Sequence, residues 1–444
     1  MELNLSESIE SPVVETAEDK ALRLLKYGIW AYFLLLIFEG ALRKWFLPGL
    51  ATPLLVIRDP IALWLIIKSY QRGLLPSNVY LNGMIIIGAV GFFTAMLIGH
   101  GNFIVALYGA RILFLHFPLI FVIGSVFDRE DILKMGKATL YIAIPMVLLL
   151  SVQFRSPQSA WVNRGLAGDL SGAGFGVNGD YFRPPATFSF TNGTALFFGW
   201  VAPFLLYFWL NQKKIKTWVL IAASLALLAS IPFSISRTLF FEVCITIFFA
   251  VMASTTKPEN FGRVVLALIV GIVSLAILSQ TSYFQVATNA FVTRFTTANE
   301  SEGGLVKGVI GDRFLGGLIS AFADNPHQPF FGMGIGMGTN VGSQLLVGDR
   351  TFLIAELEWG RTIGELGPLM GISLIVIRMA LAIRIALACF AKLITGDLLP
   401  WLLLSYGFVN IAQGQWAQPT SLGFCVMIGG LMLASLRTSQ PDVN

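Results

Sequence analysis

Apolar runs of span length recur along most of the chain. An α-helix needs about 20 consecutive apolar residues to cross the hydrocarbon core of a bilayer. Candidate runs fall at roughly 27–47, 51–69, 79–99, 102–126, 132–152, 187–210, 215–232, 234–253, 263–280, 362–388, 397–412 and 419–437. This pattern predicts an all-α polytopic membrane protein with about 12 transmembrane helices. The short connections between 79–99 and 102–126, and between 215–232 and 234–253, predict helical hairpins. Arg58-Asp59-Pro60 interrupts the second run and predicts a kinked or re-entrant segment, because proline ends or bends a helix. Two stretches, 153–186 and 281–361, lack span character and read as long loops. Within the second, 314–323 is apolar at helical spacing but too short to span, which predicts a short helix along the interface.

Composition sharpens the class. The chain is 55% hydrophobic and 12% charged, where a soluble domain carries about 25% charged residues. One transmembrane domain over 27–437, with polar tails at 1–26 and 438–444, fits better than several soluble domains. The first apolar run has no small-residue cleavage site after it, so it is expected to stay as a span. The net charge of +5 is not gathered into a basic cluster interleaved with aromatics. Nucleic acid is therefore not an expected partner; the lipid bilayer is. Cys244, Cys389 and Cys425 all lie in apolar runs, which implies no disulfide framework.

Lysine and arginine near span ends set orientation. Placing the N-terminus in the cytoplasm puts Lys20, Arg23, Lys26, Lys68, Arg72, Arg129, Lys134, Lys137, Lys213, Lys214, Lys216, Lys257, Arg263, Arg384, Lys392 and Arg437 on the cytoplasmic side. Both termini are then cytoplasmic, and loops 153–186 and 281–361 are outside. Arg43, Arg183, Arg237 and Arg361 fall at or just inside span ends on the outer side, where charge is costly and points to the bundle interior or a wet cavity. Glu39 and Arg43 are four residues apart and can pair on one helix face. Arg111 lies deep in the fourth run; it reads as a functional residue or as the partner of Glu39 or Asp59. The polar stretch 187–192, opening a span after Arg183-Pro184-Pro185, suits an anion or is an ordinary capped helix start.

In the long second loop, Gly332, Gly334, Gly336 and Gly338 alternate with larger residues and allow close approach to a neighbour or a ligand. The three histidines, His100, His116 and His327, are scattered, so no metal site is expected. No serine-hydrolase signature is present.

Taken in order, the long outer loop, an arginine, a short amphipathic run, then DNPHQPFFGMGIG at 324–336 and GELGPLMG at 364–371 form a sequence of motifs. With RPPATFSFTN at 183–192 and Ser236-Arg237 upstream, this order resembles the bacterial O-antigen ligase and O-antigen polymerase family, membrane glycosyltransferases of GT-C-like architecture. The resemblance covers roughly 180–375. It implies transfer or polymerisation of glycan units from a polyprenyl pyrophosphate-linked donor to a glycan or lipid-linked acceptor. The reaction would take place at the outer, periplasmic face of the bacterial inner membrane, as in O-antigen or exopolysaccharide synthesis for the cell envelope, with no cofactor and no metal. It further implies that Arg183, Arg237, Arg313 and Arg361 bind the donor pyrophosphate. A guanidinium binds such an anion bidentately and stabilises charge on a leaving group. The acceptor hydroxyl needs a base. Family members place a histidine, followed by asparagine, about nine residues before the glutamate of the last motif; here that position holds Glu356. Glu356 and Glu358 are accordingly the expected catalytic carboxylates, with Arg111 and His327 as accessory residues. The alternative is a multi-span transporter or flippase for a lipid-linked or anionic substrate, with Glu39, Asp59 and Arg111 on its path. No repeat of the 183–371 motifs is found in 1–180, which weighs against two related transporter halves.

Overall fold

A computed structural model describes residues 17–177, 181–256, 258–301, 329–348, 353–355 and 357–437. All twelve predicted apolar runs contain helix. In chain order the helices are α1 (Ala17–Ala41), α2 (Arg58–Gln71), α3 (Val79–Leu97), α4 (Phe103–Arg111), α5 (Phe117–Val126) and α6 (Arg129–Arg155). A two-stranded antiparallel hairpin follows, β1 (Phe175–Val177) and β2 (Tyr181–Arg183), with Phe175 opposite Arg183. Then come α7 (Asn192–Leu210), α8 (Thr217–Ser234), α9 (Arg237–Thr256), α10 (Pro258–Leu278), α11 (Ser282–Ser301), α12 (Asn340–Val347), α13 (Glu358–Ile394), α14 (Leu398–Gln413) and α15 (Pro419–Arg437). Among the described residues, ten helices are long and apolar enough to cross a membrane. The chain is an all-α multi-pass membrane protein.

Several elements differ from the sequence expectation. The second run yields only the 14-residue α2, which starts at Arg58 after two short 3₁₀ turns, as the charged, proline-bearing break demands. The last run but one yields the 16-residue α14. The stretch 282–301, expected as loop, is helical: Phe284, Ala287 and Ala290 form a buried stripe, and Phe284 meets Phe233 of α8 edge-on. The predicted interfacial helix at 314–323 lies outside the described residues.

Ion pairs, half-buried at Lys26 and buried elsewhere, lock the two ends of the bundle. At one end, Lys26 pairs with Asp128 and Asp131 at 2.7 and 2.6 Å, and Arg129 grips Asp397 at 2.7 Å. Near the other end, Glu39 bridges Arg43 and Arg58 at 3.3 and 3.2 Å. Asp59 accepts from Arg111 at 2.7 Å and lies 3.0 Å from His116, whose other ring nitrogen shares a hydrogen bond with the Tyr32 hydroxyl. Arg111 is thus paired with Asp59, and the Glu39–Arg43 pair forms as the spacing predicts.

The glycine-alternating stretch is a backbone stitch. In α13, Gly367 adopts φ +77°, ψ 170° and is followed by Pro368, so the helix breaks there. The break frees the carbonyls of Gly364 and Glu365, since Pro368 has no N–H and Gly367 has left helical geometry. Met333 N–H donates to the Gly364 carbonyl at 2.8 Å, and Gly334 N–H donates to that of Glu365 at 3.0 Å. A side chain at Gly336 would strike the α4 backbone at Val105 and Gly109. The glycines therefore admit a neighbouring main chain.

Candidate functional site

The C-terminal end of α1, the N-terminal ends of α7, α9, α13 and α15 and the C-terminal ends of α8 and α14 come together on one face. Contacts define it: Arg43 donates to Ser189, Asn192 to Gln418, Arg58 to the Pro419 carbonyl, and Arg183 to the Ser234 carbonyl. Two arginine-bearing clusters occupy this face.

The first joins Arg183 at the end of β2, Arg237 at the start of α9 and Arg294 on α11. Arg183 donates from Nε to the Ser234 carbonyl at 3.3 Å. Burial, together with the neighbouring Arg294 and Arg237, pushes its guanidinium down to about 10, so it still carries its charge at neutral pH. Among the described residues Arg183 has no carboxylate partner. The two positive neighbours work against the charge on Arg183, and an anion bound beside it would offset that.

The backbone on which these arginines stand is strained. Among the described residues only three non-glycine residues have positive φ: Ala167, Ala186 and Ile235. Ala186 (φ +52°) lies three residues after Arg183, and Ile235 (φ +47°) two before Arg237. Left-handed geometry costs an L-residue about 1–2 kcal/mol and is most unusual for a β-branched one. Strain of this kind persists only where the surroundings over-determine it. Here the surroundings are visible. The Gln153 amide accepts from the Ala186 N–H at 2.8 Å and donates to its carbonyl at 3.2 Å. Lys44, buried, donates to the same carbonyl at 2.6 Å. Lys44 and Arg43 reach this segment because α1 ends in a π-helical turn, Leu42–Phe46, which swings both side chains inward.

The second cluster is built on α13. The Glu358 carboxylate accepts from Arg361 and Arg378, each at 2.8 Å, and Arg361 also pairs with Glu365 at 2.6 Å. Glu365 accepts from the Gly338 N–H at 2.8 Å. Arg378, wholly buried, lies 3.7 Å over the Trp416 ring and donates to the carbonyls of Ile411 and Gly414. Two carboxylates balance two guanidiniums, and all four side chains are buried.

The structure thus brings Arg183 and Arg237 together and places Arg361 and Glu358 in a different, charge-balanced group. Arg111 belongs to neither cluster, being held by Asp59. Glu356, Arg313 and His327 lie outside the described residues. Sequence reasoning missed Arg294, Gln153, Lys44, Glu365 and Arg378 as parts of these clusters. Only Arg294 had a local signal: the apolar spacing Phe284, Ala287, Phe291, Phe295 marks a helix that carries it. Compared with protein-family models, with curated proteins and with solved structures, the chain matches none.

Proposed function

We propose that this protein is a metal-independent membrane glycosyltransferase, a polymerase or ligase. In this reading it takes glycan from a polyprenyl pyrophosphate-linked donor and passes it to a glycan or lipid-linked acceptor at the outer face of the bacterial inner membrane. The observation that carries the reading is the pair of strained turns that hold Arg183 and Arg237 beside Arg294. The motif order over 183–371 supports it. In this reading the chain crosses about 12 times, both termini are cytoplasmic, and 153–186 and 281–361 are outer segments; the lysine-rich character of the opposite end of the bundle supports that orientation.

The chemistry follows from the charges. The acceptor hydroxyl oxygen attacks the anomeric carbon of the donor. The bond from that carbon to the pyrophosphate oxygen breaks, and polyprenyl pyrophosphate leaves with the bonding electrons. Arg183, Arg237 and Arg294 bind the pyrophosphate and stabilise the charge that grows on it. Arg313 is a further donor-binding residue in this reading, and His327 an accessory one. A carboxylate takes the hydroxyl proton. Glu356 suits that role better than Glu358, whose oxygens already accept guanidinium hydrogen bonds. Arg361, neutralised by Glu358 and Glu365, contributes to the scaffold more than to the pyrophosphate site.

The test is glycan output from a deletion strain complemented with wild type, Arg237→Ala or Glu356→Gln, with membrane levels of each checked. Single repeat units accumulating on the carrier, unrescued by either variant, support a polymerase. Long polymer that is no longer attached to its acceptor supports a ligase. Unchanged glycan in every strain overturns the reading.

A second reading, a transporter or flippase, draws on one observation. Glu242 of α9 places a buried Oε2 against Gly199 of α7, with no hydrogen-bond partner among the described residues. An ionisable group at membrane depth is a functional candidate by default. Turnover by purified protein with lipid-linked donor and acceptor, and no ion gradient, would remove this reading.

A further inference from the structure

Away from the arginine face, α14 is recessed between α9 and α13. It packs against both, while those two scarcely meet. Between them lies an open groove of about 420 Å³. Trp401, Leu404 and Phe408, spaced three and four residues apart on one face of α14, form its floor. Ile245 and Phe249 of α9 line one wall, and Ile383 and Leu387 of α13 the other. Rings close one end. Trp401 stacks on Phe249 at 4.5 Å, donates from Nε1 to the Phe249 carbonyl at 2.9 Å and has the Phe390 ring 5.9 Å away.

What fills such a groove follows from where it lies. Helices α9 and α13 are long and apolar enough to span, and the rim residues Ile245, Ile383, Leu387 and Val409 are exposed, so the open side faces hydrocarbon. Water has no place there, because it needs at least two polar partners. The one hydroxyl in the lining, on Ser405, is satisfied by the Leu402 carbonyl and the Thr246 hydroxyl. Left empty, the groove would forfeit dispersion contacts along its whole lining. A helix of a second copy, about 10–12 Å across, takes up roughly twice the volume over the same two turns. A single hydrocarbon chain suits the space better. Chain and bilayer are equally apolar, so retention rests on packing rather than on the hydrophobic effect.

Position selects the leaflet. Trp401 lies four residues after Asp397, which pairs with Arg129 at the end of the bundle opposite the arginine face. On α9, Ile245 lies about 12 Å along the helix from Arg237. We infer that the groove is a lipid site holding one acyl chain of a glycerophospholipid from the leaflet opposite the arginine face. It stands apart from that face and does not depend on what is transferred there.

The experiment uses full-length protein in nanodiscs of phosphatidylglycerol doped with a phosphatidylcholine that carries a diazirine midway along one acyl chain. After illumination, labelled peptides are mapped by mass spectrometry. Label on 245–249, 383–390 and 401–409 is expected at about tenfold the yield on α10, whose Phe261, Ile272 and Ile277 are also exposed. Ala386 lines the groove and is half-buried. Ala386→Trp fills the space and lowers the groove label about tenfold, with the α10 label unchanged. Val409→Trp, on the exposed rim, serves the same purpose if Ala386→Trp fails to fold. Native mass spectrometry from detergent reads the same site: a phospholipid stays on wild type and leaves Ala386→Trp. Label spread evenly over all exposed helices, or groove label that survives both substitutions, overturns the inference. A wild-type dimer whose groove takes no label also overturns it, since the second copy is then the occupant. Loss of the groove label to an equimolar polyprenyl phosphate overturns it too, and gives the groove to an isoprenoid chain instead.

Discussion

Two arginine clusters lie on the same face of the bundle and differ in what surrounds them. Arg361 and Arg378 are wedged among Glu358, Glu365 and backbone carbonyls, with every charge answered. Arg183 stands beside Arg237 and Arg294 on strained backbone. The first arrangement is what a bundle needs to bury charge without loss. In the second, burial and two positive neighbours work against the charge on Arg183, which is explicable as a site for something negative. Burial of an arginine is thus a weak guide to function, and its partners are the stronger one.

The contrast can be broken most directly at Glu358. Glu358→Ala leaves Arg378 buried without its carboxylate, which costs about 3–5 kcal/mol. Thermal unfolding in detergent is expected to show a large fall, or membrane levels to collapse; a variant as stable as wild type would refute the scaffold assignment. In the other cluster the expected loss is of activity. Arg183→Ala and Arg237→Ala each lower glycan output about 100-fold, the effect of removing one donor that stabilises a developing anion, with unfolding shifted by no more than about 1 kcal/mol. The double variant is expected to lose less than the product, because the two act on one anion.

A control at the opposite end is Asp128, whose side chain caps α6 and pairs with Lys26. Asp128→Ala costs about 0.5–2 kcal/mol and leaves glycan output unchanged. Burial works against the Asp128 carboxylate, but Lys26 and the Asp131 N–H outweigh it and hold it below its ordinary value. A depressed folded value means the stabilisation is present above the usual carboxylate range and fades as pH falls through the folded value. The gap between wild type and Asp128→Ala in an acid scan is therefore expected to close only below about pH 4. The smallest effect belongs to Ala186→Gly. Glycine accepts the left-handed geometry without the penalty alanine bears, at some cost in chain entropy. A gain of about 1 kcal/mol or less in stability, with reduced output from a looser Arg183 turn, would confirm that strain there serves the site.

The spans were legible because length and apolarity are local properties, and lipid imposes them directly. The break at Arg58-Asp59-Pro60 and the Glu39–Arg43 pair were legible for the same reason. Ser282–Ser301 was not, since its threonines, asparagines and serines favour no helix on their own, and packing of Phe284 on α8 supplies what propensity lacks. Partners distant in sequence were equally hidden. Nothing near Glu358 announces Arg378, and nothing near Ala186 announces Gln153 and Lys44. Arg183 and Arg237 could be singled out by cost alone, but their company with Arg294 depends on a helix marked only by the spacing of Phe284, Ala287, Phe291 and Phe295.

The stitch across the α13 break has an evolutionary consequence. Its bonds are made by main-chain N–H and carbonyl groups, so the hydrogen bonds of the join do not depend on which side chains stand between the glycines, although the buried Ile335 also packs in the core. What cannot drift is smallness at Gly336 and Gly367 and the missing N–H of Pro368. Related chains could keep this join with little else in common, and their kinship would be recorded in the spacing of a few glycines and one proline rather than in the side chains that ordinary comparison weighs.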